Sequence, residues 1–135
     1  MKKILFLCTG NSCRSQMAEG LAKKYLNNFE VQSAGTIPEK VNPYAIEAMR
    51  SIGIDISANK SKKIEYSELD EFDFVITLCG DAKDKCPVID TGTHIHWDIP
   101  DPAKVKGSAR QIELEFSKIR DMINLKINSF KNKFK

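Results

Sequence analysis

Cys8-Thr9-Gly10-Asn11-Ser12-Cys13-Arg14-Ser15 is the stretch from which the rest of the chain can be read. Before it, Ile4-Leu5-Phe6-Leu7 is a continuous apolar run and predicts a strand, Ile4 to Cys8, buried on both faces. After it, Met17, Ala18, Leu21, Ala22, Tyr25 and Leu26 recur at helical spacing and predict a helix from about Ser15 to Asn27. A strand therefore ends on a cysteine, a polar loop turns, and an arginine opens a helix. Such a loop can aim backbone N–H groups at one centre, where the helix N-terminus also favours negative charge. Residues Cys8, Thr9, Gly10, Asn11, Ser12, Cys13 and Arg14 thus read as a cradle for a tetrahedral oxyanion. The same field favours a thiolate nucleophile at Cys8. Arg14 offers planar paired donors to two anion oxygens. As a mere first-turn residue it would oppose the helix field, so an anion clamp is the better account of it. Gly10 gives the backbone room for close approach. Asn11 reads as a residue that holds the loop by side-chain hydrogen bonds, or as an ordinary turn residue. Ser15 can hydrogen-bond the Cys8 sulfur, cap the helix, or do both. Cys13 reads as a structural bystander.

Outward from this loop, Glu30 to Ala34 predicts a second strand with Gly35 turning out of it. Asn42-Pro43 reads as an N-cap with proline at the first helical position, and Gly53 stops that helix. A helical turn is expected near Ile64 to Leu69, then a strand from Phe72 to Leu78 with Asp73 at its start. The polar stretch Cys79 to Pro87, a strand from Thr93 to Trp97 and a loop from Asp98 to Pro102 follow. The last helix starts near Ser108, with the stripe Ile112, Phe116, Ile119, Ile123, Ile127 and Phe130. Strands alternating with helices predict an α/β layered fold with a mostly parallel sheet. Sites in such sheets lie at the C-terminal strand ends, which brings Cys8, Cys79 and Asp101 to one edge by topology. Asp101 is the candidate general acid and base, since a leaving oxygen needs a proton when sulfur attacks. The minor alternative for Asp101 is a turn or N-cap residue, and Asp98 is its weaker competitor as the acid.

At 135 residues the chain suits one domain, 1–135, with one hydrophobic core. A net charge of +3, with basic residues dispersed apart from the Lys131 to Lys135 tail, argues against nucleic-acid binding. No apolar stretch reaches the length of a membrane span, and no secretory signal is read, so a cytoplasmic protein without membrane attachment is expected. Four cysteines in that setting are more readily reactive, metal-binding or core residues than permanent bridges. A zinc site is disfavoured, because the knuckle spacing is absent and Arg14 repels a cation. His94 and His96 share a strand face, where a packing or loop-anchoring role is preferred to a metal pair.

Cys8 and Arg14 at Cys-x5-Arg spacing, with Ser15 following, resemble the signature loop of low-molecular-weight protein tyrosine phosphatases. The fuller run from Cys8 to Glu19 is similar to the thioredoxin-coupled arsenate reductases built on that fold. The likeness extends through Ser33-Ala34-Gly35, Asn42-Pro43, Thr77-Leu78-Cys79, Cys86-Pro87, His96-Trp97 and Asp101-Pro102. It implies a three-layer α/β sandwich, with a central four-stranded parallel sheet flanked by helices. It also implies arsenate reduction by a relay of Cys8, Cys79 and Cys86. Cys8 attacks arsenate, Asp101 protonates the departing hydroxyl, Cys79 then attacks Cys8, and Cys86 attacks Cys79. The resulting disulfide is returned to dithiol by thioredoxin.

The tyrosine phosphatases of the family carry aromatic residues after the Asp-Pro pair; here Ala103-Lys104 stand there, which favours a small anion such as arsenate, phosphate or sulfate. The resemblance further implies potassium near the loop, with Asn11, Glu19 and Ser33 matching. The matching acidic residue after Asn59 is absent and Lys60, Lys62 and Lys63 occupy that stretch, so a lysine ammonium can replace the ion. The competing readings are a tyrosine phosphatase and a non-enzymatic redox or anion-sensing module.

Overall fold

The apolar run near the N-terminus forms β1 (Lys2–Cys8), which starts earlier than its apolar residues alone predict. Ile4 to Leu7 have no exposed surface, as a central strand covered on both faces requires. The computed structural model describes residues 1–79 and 93–134. After β1 come α1 (Arg14–Tyr25), β2 (Phe29–Gly35), α2 (Pro43–Arg50), a 3-10 turn (Tyr66–Glu71) and β3 (Phe74–Thr77). Then follow β4 (Thr93–His96), a second 3-10 turn (Pro102–Lys104) and α3 (Ala109–Lys133). The expected polar segment after Cys79, with Gly80 and Cys86, lies outside the described residues. The four strands form one parallel sheet in the order β2-β1-β3-β4, flanked by helices, as the alternating pattern predicts. No helix of the described residues is long and apolar enough to cross a membrane.

The start and stop signals of α2 come out as read. Asn42 accepts a hydrogen bond from the Tyr44 N–H at 2.8 Å, with Pro43 opening α2. Gly53, at φ 81°, takes the left-handed conformation just past that helix. Ser108 and Gln111 form a reciprocal capping box at the start of α3. Phe116, Ile119, Ile123, Ile127 and Phe130 of that helix are buried. Arg120 interrupts this apolar stripe and is buried too. Its guanidinium donates to the Ala48 carbonyl at 2.8 Å and to Ser51 Oγ at 2.9 Å, placing a cation at the C-terminus of α2. Most predicted boundaries shift by one or two residues, and two of these shifts have a clear local cause. The helix after the loop ends at Tyr25, before the asparagines. β3 is shorter than the run from Phe72 to Leu78, because Phe72 closes the 3-10 turn. Asp73 stands ahead of β3: its N–H donates to the Lys3 carbonyl, and its carboxylate accepts from the Lys3 N–H at 2.8 Å.

The register decides where the chemistry falls. Cys8 lies opposite Gly35, Leu7 opposite Thr77, and Thr77 opposite His96. The segments leaving β1, β3 and β4 therefore start at one level, and these segments carry the polar loop, Cys79 and Asp101 respectively. Gly35 is where β2 backs onto the polar loop. A Cβ there would sit 2.5 Å from the Thr9 carbonyl oxygen and 2.9 Å from the Asn11 nitrogen, both backbone atoms. Gly35→Ala is expected to lower the unfolding free energy by roughly 1–3 kcal/mol, the usual size of overpacking, and to weaken phosphate binding. Urea unfolding monitored by circular dichroism, with calorimetric phosphate titration, tests this; an unchanged midpoint and affinity would mean that the loop yields without cost.

Candidate active site

Asn11 organises the loop between β1 and α1. It is fully buried and holds φ at 49°, a left-handed conformation that asparagine tolerates better than most side chains. Its Nδ2 donates to Ser15 Oγ at 2.8 Å and to Ser33 Oγ at 2.9 Å. Its Oδ1 accepts from Gln16 Nε2 at 3.2 Å and from the Lys62 N–H at 3.0 Å. Its carbonyl accepts from the Ser61 hydroxyl at 2.7 Å. Of the two sequence readings, the loop-holding one describes this residue. The closest backbone approach behind the loop is at Gly35 rather than Gly10, whose open side meets Ser12 Oγ and the Glu39 side chain.

Two donors converge on Cys8 Sγ. The Asn11 N–H lies 3.3 Å from it, and Ser15 Oγ lies 2.8 Å from it. Because Ser15 already accepts the Asn11 amide, its own proton is available for the sulfur. Ser15 sits inside the first turn of α1, and the cap position belongs to Cys13, which makes no side-chain cap bond. The helix-cap reading of Ser15 is therefore wrong, and the sulfur-contact reading holds.

A cavity of ≈ 150 Å³ opens in front of the loop, lined by Cys8, Thr9, Gly10, Ser12, Cys13 and Arg14 and closed by Glu39, Asp101 and Ala103. Arg14 reaches across the sheet edge. Its Nη1 donates to the Ile99 carbonyl at 3.0 Å and to the Leu78 carbonyl at 3.4 Å. Its Nη2 lies 3.7 Å from Asp101 Oδ2. Asp101 divides its oxygens: Oδ1 accepts from the Ala103 N–H at 3.0 Å and Oδ2 faces Arg14. Its cap role and its place in the cavity coexist. Asp98 lines an adjacent cavity and not this one.

Burial pushes the Cys13 thiol up to about 11, with nearby Asp101 and Cys8 adding to the effect against the Ser12 hydrogen bond and Arg14. A thiol so held is neutral near pH 7, in keeping with a bystander. Cys79 is buried at the end of β3, and its Sγ lies 3.2 Å from Thr9 Oγ1, on the residue that follows Cys8. The cavity beside Cys79, ≈ 520 Å³, shares Thr9, Arg14 and Asp101 with the oxyanion cavity. No disulfide joins Cys8, Cys13 and Cys79. Cys86 falls outside the described residues. His94 Nε2 and His96 Nδ1 both approach Thr77 Oγ1, at 3.1 and 2.8 Å, which is the anchoring role expected of them. Among the described residues no group of three metal-ligating side chains comes together.

Asn11, Glu19 and Ser33 do meet, yet they do not fit a potassium ion. Ser33 Oγ donates to Glu19 Oε1 at 2.5 Å, while Lys23 Nζ lies 2.8 Å from Glu19 Oε2 and Asn59 Nδ2 lies 3.4 Å from it. With both N–H bonds on Asn11 Oδ1, N–H and O–H donors already engage the oxygens a hard cation would need. The positive charge comes from Lys23, not from the lysines after Asn59; Lys62 turns its ammonium to Gln32. Sequence reasoning missed Glu39 in the cavity wall, the tight backing at Gly35, and the bonds from Ser61 and Lys62 to Asn11. The Ser33-Ala34-Gly35 run was visible as a motif, but neither Glu39 nor Ser61 carries a local signal.

The comparisons with known proteins agree with this geometry. Residues 3–135 match the family described as low molecular weight phosphotyrosine protein phosphatase. The chain is 50% identical over 133 residues to an arsenate reductase of Shouchella clausii, covering 96% of this chain and 94% of that one. It is 47% identical over 133 residues to an arsenate reductase of Bacillus subtilis, with the same coverage. A solved structure of an arsenate reductase in the phosphate-binding state superposes with a TM-score of 0.79 at 35% identity, over 100% of both chains. Matched over nearly its whole length, this chain belongs to the arsenate reductases of the low molecular weight phosphotyrosine protein phosphatase family of enzymes.

Proposed function

We propose that this enzyme reduces arsenate to arsenite by a relay of Cys8, Cys79 and Cys86, and that thioredoxin returns it to the dithiol form. The observation that carries the reading is the second thiol at the nucleophile loop: Cys79 Sγ stands 3.2 Å from Thr9 Oγ1, on the residue next to Cys8. A phosphatase needs one sulfur and water, whereas a reductase must supply two electrons. Among the described residues the cavity of ≈ 150 Å³ has no aromatic wall, which favours a bare tetrahedral oxyanion over a phosphotyrosine ring.

In the proposed sequence, Cys8 Sγ attacks arsenic while Arg14 and the loop amides hold the oxygens. Asp101 protonates the leaving hydroxide, so water departs and a sulfur–arsenic bond remains. Cys79 then attacks Cys8 Sγ. A Cys8–Cys79 bond forms, the sulfur–arsenic bond breaks, and arsenic keeps the electron pair and leaves as arsenite. Cys86 attacks Cys79, which expels the Cys8 thiolate and leaves Cys79–Cys86. Thioredoxin's dithiol is oxidised as that bond is reduced. The part given to Cys86 rests on the sequence resemblance. Residues 1–135 act as one catalytic domain in this reading, with no role for nucleic acid or membrane.

Cys8→Ser is expected to abolish arsenate turnover, because a serine hydroxyl is a far weaker nucleophile than sulfur. A coupled assay with thioredoxin, thioredoxin reductase and NADPH tests it, and retained turnover would remove Cys8 from its role. Asp101→Asn should slow the chemical step by roughly 10²–10⁴-fold, the range for a lost general acid, while Asp98→Asn has a smaller effect. Single-turnover rates distinguish the two aspartates; the reverse order would transfer the role to Asp98. Cys86→Ser should permit one turnover and trap a Cys8–Cys79 bond, whereas Cys79→Ser should give no disulfide with Cys8. Peptide mass mapping of alkylated samples reads each bond. Repeated arsenate turnover by both serine variants would eliminate the relay.

A further inference from the structure

Glu39 is the residue shared by the oxyanion cavity and a second groove of ≈ 450 Å³ lined in part by Pro38, Lys40, Val41, Ile46 and Lys60. Its main chain is tied to the cradle. The Glu39 N–H donates to the Gly10 carbonyl at 2.8 Å, and its own carbonyl accepts from the Ser61 hydroxyl, which also bonds Asn11. Its carboxylate leans over the loop: Oε2 lies 3.6 Å from the point a Cβ on Gly10 would occupy. Asp101, the other carboxylate of the cavity, directs one oxygen to the Ala103 N–H and the other towards Arg14. Glu39 makes no ion pair among the described residues. A site built from N–H donors for an anion thus carries in its wall an acceptor that the reduction steps do not use.

We propose that Glu39 is a specificity-determining residue that selects oxyanions by their proton content. This rests on the oxyanion reading of the cavity. Arsenate and phosphate retain at least one proton near neutral pH, so either can donate a hydroxyl hydrogen bond to the carboxylate. Sulfate, of the same shape, retains none. The Glu39 carboxylate then faces it lone pair to lone pair, and attraction becomes like-charge repulsion. Arg14 and the loop amides serve both tetrahedra alike, because each offers oxygens to donors. Only an acceptor in the wall can tell them apart, by leaving the wrong ligand with an unmatched polar contact.

The test is a calorimetric titration of sodium phosphate and of sodium sulfate, separately, into reduced wild type and Glu39→Gln at one neutral pH and ionic strength. Wild type is expected to bind phosphate more tightly than sulfate. Glu39→Gln should tighten sulfate by about tenfold, since the amide can offer an N–H, and should leave phosphate within about threefold. That factor is well below buried-site discrimination, because Glu39 is exposed to solvent. Glu39→Asp should keep part of the preference. An unchanged sulfate-to-phosphate ratio in Glu39→Gln overturns the proposal, as does equal weakening of both anions, which would mean that Glu39 acts only by shaping the loop. A wild type that binds neither anion overturns the oxyanion reading itself.

Discussion

The buried amide of Asn11 is the constraint on which the site depends. Its left-handed backbone costs about 1–2 kcal/mol for an ordinary L-residue and less for asparagine, whose short polar side chain can bond locally. Against this stand four side-chain hydrogen bonds, each worth about 1 kcal/mol net. The balance favours the turn, and the asymmetry makes it specific: losing one partner would leave a buried polar group unmatched at about 1–3 kcal/mol. The same turn directs the Asn11 N–H at Cys8 Sγ and orders the Ser15 hydroxyl beside it. Fold stability and the setting of Cys8, the proposed nucleophile, are therefore served by one side chain.

A second constraint is the charge of Arg14. It opens α1, where the helix field opposes a cation. Carbonyls of Leu78 and Ile99 and the Asp101 carboxylate hold the guanidinium from the other side. Those partners come from the segments after β3 and β4, so the clamp also ties the Asp101 loop to the nucleophile loop. Burial keeps Cys13, the other cysteine of the loop, neutral. Behind the loop, Lys23 balances Glu19 at the far end of the Asn11–Ser33 chain.

The parallel register makes these two constraints meet. Ala34, Leu7, Thr77 and His96 stand at one level across the sheet, with Cys8 and Gly35 one residue beyond. Cys79 follows Thr77 by two residues and reaches Thr9 at once, without any long excursion of the chain. Where Gly35 backs the loop, a side chain would collide with two backbone atoms, so β2 can support the cradle only with a glycine at its end.

Much of this was legible in the sequence, for identifiable reasons. The apolar run of β1, the stripe of α3 and the cap at Asn42 are local patterns, and local patterns survive translation into structure. Cys8, Cys79 and Asp101 could be placed on one edge because strand ends in a parallel sheet share an edge whatever the loops do. What only the tertiary structure decided lies between segments distant in sequence. The roles of Ser15 and Asn11 depended on Ser33, Ser61 and Lys62; the cation beside Glu19 proved to be Lys23; and Glu39 entered the cavity wall through a main-chain bond to Gly10. Periodicity and spacing report which face a residue shares with its neighbours along the chain. They carry no record of which distant backbone group completes a buried polar atom's hydrogen bonds, and that completion is what set this site.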